Sequence, residues 1–383
     1  MARILQRDVT VLCAATIFVL APSLGADEQI HFTRDGRDRF IRGELIVEDV
    51  GGGVLLLADD GRLWAVQRKE ITRREKTDKA FTPLSREALA RKVLAELPAG
   101  FKTHGTAHFL IAYNTSDVYA QWCGALYERL YVAFYNFFER RGAKLREPRW
   151  PLVAIIFADR DALVRFSRAK LGESANGVIG YYDLETNDMV MCDLTGADLG
   201  ATRVRASSAA QINRLLSQPR AAQNVAAIVH EAAHQIAFNC GLMERWSDVP
   251  MWLSEGVAVY FETPDLGRRQ GWRAVGAVNR SRLAELKPRL ARWDAKTFAA
   301  LIAGDDRFAD ADTARFAYAE SWAITYALLE RRPKEFVAYM QTVATGKPLN
   351  DATPVERLRA FQAAFGTVSG THRQVVETVG RLR

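Results

Sequence analysis

The sequence predicts an α+β fold in which a small N-terminal β module is followed by a small mixed sheet and a mainly helical C-terminal lobe. Three observations carry this. Short apolar-rich runs separated by turn residues fill residues 37–67. Strand-like and helix-like spacings alternate between residues 85 and 194, and beyond residue 217 the periodic stretches are helical.

Residues 1–26 stand apart. Arg3 and Arg7 precede an apolar run over 9–20, which gives way to Pro22, Ser23, Gly25 and Ala26 and then to Asp27 and Glu28. This is the pattern of a secretory signal peptide, with cleavage expected after Gly25 or Ala26. The run is shorter than the roughly 20 residues of a spanning helix. The expectation is therefore a secreted or periplasmic protein with no stable membrane span after cleavage. Cys13 lies in that segment, which leaves Cys123, Cys192 and Cys240, an odd set that allows at most one internal disulfide. The core must hold the fold by itself.

Residues 27–80 read as a β module with a linker. Strands are expected at 40–47, 54–58 and 63–67, with Asp60-Gly61 as a tight turn and Gly51-Gly52-Gly53 as a looser one. The densest basic stretch, 68–79, also holds Glu70, Glu75 and Asp78, so it is expected to be a solvated linker or helix face. Residues 81–383 form the larger domain. A charged helix to about 97, a strand at 108–113 and an aromatic-rich helix at 118–141 come first. A strand at 152–157, a helix at 161–170 and strands at 178–182 and 189–194 follow. The helical lobe then opens with a helix capped by Ser217 with Pro219 in its first turn, running to 238, and a second over 250–262. Further helices are expected at 272–286, 297–302, 314–331, 334–345 and 355–365.

At 383 residues, 49% hydrophobic and 25% charged, the chain has the composition of a folded globular protein. Its formal charge of +7 becomes +6 once Arg3, Arg7 and Asp8 are removed, and the remaining charges are dispersed. With no Gly-rich phosphate loop and acids among the basic residues, nucleic acid is not an expected partner. Composition leaves oligomeric state open.

The chemistry concentrates in His230-Glu231-Ala232-Ala233-His234. Positions i and i+4 share one helix face, so both imidazoles can reach one ion, with Glu231 beside them. The residue frequencies give about 0.005 chance occurrences of this pattern in such a chain. A hydrolytic zinc site takes three protein ligands and one exchangeable water. Glu255 on the next helix, in Trp252-Leu253-Ser254-Glu255-Gly256, is the favoured third ligand. Cys240, six residues after His234, is the alternative. Glu262 lies seven residues after Glu255 on the same helix face, either as an acceptor for a ligand histidine N–H or as a surface ion pair. Asn224 and Gln235 flank the motif. His31, His104, His108 and His372 have no ligand spacing.

The stretch 224–262 resembles the gluzincin group of zinc metallopeptidases: a His-Glu-x-x-His helix, then a helix with an aromatic residue, a Glu-Gly pair and a Tyr-x-Glu ending. With 272–283 and Tyr318-Ala319-Glu320-Ser321-Trp322 added, it resembles the largely uncharacterised secreted bacterial DUF1570-like family of the peptidase MA superfamily. The resemblance spans roughly 105–345, and only the two zinc helices are specific. It implies a zincin-like domain, a Zn2+ ion held by His230, His234 and Glu255, and Glu231 as the general base that takes a proton from water and passes it to the leaving amine. It also places Tyr318 where related enzymes carry the tyrosine that donates to the oxyanion. The expected partner is a peptide or protein substrate, with an extended segment pairing to an edge strand at 189–194. The other readings are a non-catalytic zinc-containing cell-surface binding protein and a zinc hydrolase of a non-peptide amide.

Overall fold

Asp35-Gly36 is a two-residue hairpin turn: both residues have positive φ, 54° and 68°, as the right-handed twist of its strands requires. A computed structural model of the protein describes residues 26–195, 206–263, 266, 272, 275–344, 346 and 348–383. The expected signal segment therefore lies outside the described residues up to 25. The helix expected over 272–286 falls partly outside them.

In chain order the elements are β1 (Ala26–Arg34), β2 (Arg37–Glu48), β3 (Val54–Ala58), β4 (Leu63–Val66), β5 (Ile71–Ala80), α1 (Arg86–Glu96), β6 (Lys102–Gly105), β7 (Phe109–Tyr113) and α2 (Asp117–Glu139). Then come β8 (Leu152–Phe157), α3 (Arg160–Leu171), β9 (Gly180–Tyr182), β10 (Met189–Cys192), α4 (Ala209–Leu216), α5 (Pro219–Ala237) and α6 (Met251–Phe261). The last are α7 (Arg280–Leu286), α8 (Ala295–Ala303), α9 (Asp306–Ala309), α10 (Ala311–Arg331), α11 (Pro333–Ala344), α12 (Pro354–Phe365) and α13 (Val368–Gly380). The α+β expectation holds: an N-terminal antiparallel sheet, a mixed sheet and a helical C-terminal region. The chain divides into two compact units, one of 1–116, 148–192 and 347–349, the other of 117–147, 193–346 and 350–383.

The first unit holds both sheets. The antiparallel sheet runs β4-β3-β2-β1-β5 over a core of Ile30, Phe32, Ile41, Val54, Leu56 and Val66. Two of its strands differ from expectation. Residues 26–34 form β1, and most of the basic stretch 68–79 is the edge strand β5, not a linker or helix face. Cross-strand ion pairs explain both. Arg74 of β5 reaches Glu28 of β1 at 2.7 Å and Glu48 of β2 at 2.8 Å, and Arg42 reaches the buried Asp27 at 2.5 Å. The Asp60-Gly61 turn forms as expected, with Gly61 at φ 88° and its N–H donating to the Ala58 carbonyl. The mixed sheet runs β6-β7-β8-β10-β9, with β7, β8 and β10 parallel and both outer strands antiparallel to their neighbours. Its edges are β6 and β9. Residues 189–192 are paired on both sides, so the expected substrate-pairing edge at 189–194 is corrected.

The second unit is helical. The aromatic stripe of α2 is core: Tyr127, Leu130, Phe134 and Phe138 are buried, and Phe134 and Phe138 pack on Phe261 of α6. Helix α5 begins at Pro219 with Gln218 in the capping position and no side-chain cap. Ser217 instead ends α4, a helix not anticipated from the sequence, as α13 was not. Cys123, Cys192 and Cys240 are buried and none of them is in a disulfide. Among the described residues no helix is long and apolar enough to cross a membrane.

Candidate metal centre

Three helices of the second unit build the site. Helix α5 starts with its proline at the first turn, where the missing N–H costs nothing, and buries Val225, Ile228, Val229, Ala232, Ala233 and Ile236. His230 and His234 lie on that buried side. Helix α6 is buried at every position from Trp252 to Phe261, and Glu255 is its only charged residue. A carboxylate in such a helix demands a cationic or donor partner. Helix α10 packs along α6, and Gly256 permits it: a Cβ there would stand 2.2 Å from Thr325 Oγ1 and 2.7 Å from the Ser321 carbonyl oxygen.

The start of α6 is pinned from the C-terminal helices. The Met251 N–H donates to Asp305 Oδ1 at 3.0 Å. Arg357 of α12 joins Asp305 at 3.0 Å to Asp248 at 2.6 Å, and Asp248 also accepts from the Ala352 N–H. This buried arginine ties the loop before α6 to both acids.

His230 Nε2 and His234 Nε2 lie 3.0 Å apart, and Glu255 Oε2 lies 3.1 Å from the first and 3.5 Å from the second. His230, His234 and Glu255 are the group among the described residues with metal-ligand geometry. Atoms bound at about 2.0–2.1 Å to a tetrahedral zinc stand about 3.3 Å apart, so the triangle has the size of three zinc ligands. The donor chemistry fits as well. His230 Nδ1 faces Glu262 Oε1 at 2.9 Å, and this ionised partner holds one ring proton on Nδ1, so that a cation displacing the other would meet a lone pair on Nε2. The Glu255 oxygens are buried and their approaches to the rings lack hydrogen-bond alignment. Three potential ligand atoms thus converge on one buried point, an arrangement a cation would satisfy.

The charge balance of the side chains points the same way. Burial depresses His230, but Glu255 and Glu262 outweigh it and hold the ring's pKa up at about 10. Burial raises Glu255, yet His234 and His230 bring it down to about 2. His234 is lowered by burial and by the charge of His230. The side chains by themselves keep one positive charge among the carboxylates, where a metal ion would supply two.

Glu262 is fixed from a further direction. Asn279 caps α7 by accepting the Arg282 N–H and donates its own side-chain amide to Glu262 Oε2 at 3.0 Å. Arg282 donates to Glu262 Oε1 at 3.3 Å and lies near Glu285 at 3.5 Å, which in turn meets Arg315 at 3.0 Å. Sequence reasoning reached Glu262 through its i+7 spacing and missed Asn279 and Arg282. The available signal was an asparagine at the start of a helical run, with an arginine one turn on.

Glu231 is fully buried, and its charge acts on both His230 and Tyr318. Tyr318 of α10 is buried, with its ring centre 6.4 Å from that of His230, Phe308 at its edge and the Arg282 guanidinium 5.5 Å over its face. Burial, with Glu255 and Glu231 adding to it, pushes the phenol well above its usual range, so it stays an O–H donor. Cys240 is outside the cluster. Its thiol donates to the Ala237 carbonyl at 3.6 Å, and burial raises it to about 12. Gln235 is buried and Asn224 half-buried on α5.

The sequence model of a family described as "Protein of unknown function (DUF1570)" matches residues 224–350. That stretch contains His230, Glu231, His234, Glu255, Glu262, Asn279, Arg282 and Tyr318. No curated protein matches the chain. Among solved structures, it is similar to an M1 zinc metallopeptidase mutant from Deinococcus radiodurans, with a TM-score of 0.36 and 12% identity over 97% of this chain and 61% of that one. The chain thus spans 61% of that protein's length.

Proposed function

We propose that this chain is a secreted zinc-dependent peptidase of the gluzincin kind, with His230, His234 and Glu255 as zinc ligands. The observation that carries the reading is the meeting of two imidazole nitrogens and one carboxylate oxygen at 3.0, 3.1 and 3.5 Å, with a second buried carboxylate, Glu231, beside them. A binding protein that used zinc only to hold its fold would need the ligands and no base.

Bound zinc would supply Lewis-acid activation of a water and of the substrate carbonyl. Glu231 takes the proton from the attacking water on its carboxylate and delivers it to the nitrogen of the leaving amine. Tyr318, which keeps its proton, donates a hydrogen bond to the oxygen that gains charge in the transition state. Glu262 holds the Nδ1 proton of His230 and so keeps that ring in the tautomer that presents Nε2. The charged, apolar and small-residue pattern of residues 1–26 supports export.

The test is zinc content and a peptide-library digest on wild type and Glu231→Gln. The expected result is zinc retained at wild-type stoichiometry with cleavage reduced by at least a hundredfold. Undiminished cleavage in Glu231→Gln sinks the mechanism. Cleavage of non-peptide amides alone would move the substrate class while keeping the residues.

A further inference from the structure

A cavity of about 850 Å³ in the second unit is lined by none of the metal-centre residues. Its wall is made by the segment joining α7 to α8, by α9 and by the first half of α10. Four arginines line it, Arg289, Arg292, Arg307 and Arg315, against two acids, Asp312 and Glu320. Two of the arginines are committed. Arg307 is paired in bidentate fashion with the buried Glu320, one contact at 3.0 Å, and Arg315 with Glu285 at 3.0 Å.

Arg289 and Arg292 are exposed, and neither forms an ion pair within 4.0 Å among the described residues. The Arg289 guanidinium lies 3.5 Å from the centre of the Phe316 ring. Stacking holds that group flat while leaving its N–H edges free to donate, the arrangement in which arginine takes a carboxylate or phosphate with two parallel bonds. Glu320 feels Arg289 as well as Arg307, which places Arg289 at the mouth of the same basic surface. Leu286, Phe316 and the buried Trp293 supply an apolar floor. The volume lies within the roughly 300–1,000 Å³ of small-molecule sites, and an apolar floor with a few convergent charged donors is their usual composition.

We propose that this cavity is a second binding site, separate from the metal centre, for a small organic anion: a carboxylate or phosphate group held by Arg289 and Arg292, carried on an apolar body packed against Phe316 and Trp293. The charge sets the class. With Arg307 and Arg315 paired to Glu320 and Glu285, Arg289 and Arg292 against Asp312 leave one net positive charge in the lining, which the first negative charge of the ligand balances. The proposal does not rest on the peptidase reading.

The probe is phenyl phosphate, with inorganic phosphate and benzyl alcohol as arms that keep only the charge or only the body. Binding is measured by calorimetry on the zinc-loaded full chain. Phenyl phosphate is expected to bind at least tenfold more tightly than inorganic phosphate and to weaken as salt rises. Affinity is expected to fall at least tenfold in Arg289→Gln/Arg292→Gln and in Arg292→Gln alone to fall severalfold. Both arginines are exposed, so unchanged melting temperatures are expected for these variants. His230→Ala distinguishes the two sites: binding here persists in it, whereas an anion held at the metal would be lost. Absent binding up to tens of millimolar, binding unchanged in the double arginine variant, binding lost in His230→Ala, or inorganic phosphate equal to phenyl phosphate would each overturn the proposal.

Discussion

Replacing Glu262 by Gln changes one atom of the candidate metal centre's support and leaves its shape intact. Glu262 accepts from His230 Nδ1 at 2.9 Å, Asn279 Nδ2 at 3.0 Å and Arg282 at 3.3 Å, and its side chain is 10% exposed. The glutamine oxygen can serve His230, but its amide then faces a second donor from Asn279, and the charge that met Arg282 is gone. Exchanging a charge-assisted hydrogen bond for a neutral one costs about 1–1.5 kcal/mol, with a further loss where two donors now face each other. At about 1.4 kcal/mol per decade, zinc should bind about tenfold more weakly, within the 10–100-fold found for such supporting partners. The assay is competition for zinc against a chromogenic chelator, with thermal denaturation of the metal-free protein alongside. A zinc affinity within twofold of wild type would refute the reasoning, whatever the melting temperature does.

Three further outcomes follow from the packing and the buried charges. Gly256→Ala should destabilise the protein by about 1–3 kcal/mol and weaken zinc binding, because the Ser321 backbone cannot yield and α6 must move off α10 with Glu255; adding Thr325→Ala should recover only part of the denaturant midpoint, and full recovery would show that the backbone contact is unimportant. Arg357→Met leaves Asp248 and Asp305 facing each other without their cation and frees the start of α6, so urea denaturation should register a loss of about 3 kcal/mol; a midpoint equal to wild type would count against the anchoring role. In the first unit, burial raises Asp188 from 3.8 to about 7 despite Arg62 nearby. The native state then holds an extra proton between about pH 4 and 7, so its contribution is complete below pH 4 and is lost as pH rises through 7, by about 4 kcal/mol at most. Urea midpoints at pH 5 and 8 should differ more in wild type than in Asp188→Asn, and identical differences would remove Asp188 as the source.

The strands and helices legible in the sequence are those whose apolar spacing decides their burial. Residues 152–157 are fully buried on both faces and show as an unbroken apolar run, and α10 and α12 repeat their apolar residues at helical spacing. Strand β5 was hidden because its sequence, Ile71 to Ala80, is mostly charged, and what holds it in the sheet is a set of partners 26 to 46 residues away. Local pattern carries no trace of such pairs. Ser217 differs for a related reason: a serine before a proline-started helix reads as its N-cap, but this one is the C-cap of α4, and Pro219 opens the next helix two residues later.

The candidate site divides along the same line. His230 and His234 share a helix face by spacing alone, and Glu262, the C-cap of α6, follows Glu255 by two turns, so each pair is local in sequence. That Glu255 reaches the histidines depends on where α6 sits, and its neighbour Gly256 lets α6 lie close against α10, a closeness that no periodic pattern registers. Asn279 and Arg282 lie beyond a stretch without periodicity, on a short helix whose placement only tertiary contacts determine. Their effect is nevertheless electrostatic and specific. His230 and then Arg282 hold Glu262 ionised against its burial, Asn279 donates to its other oxygen, and the ionised Glu262 keeps a proton on His230 Nδ1, so that Nε2 is the atom turned to the point where His234 and Glu255 also converge. The motif supplies two of the three candidate ligands, and Arg282 on a helix outside it helps to set the protonation state in which they would act together.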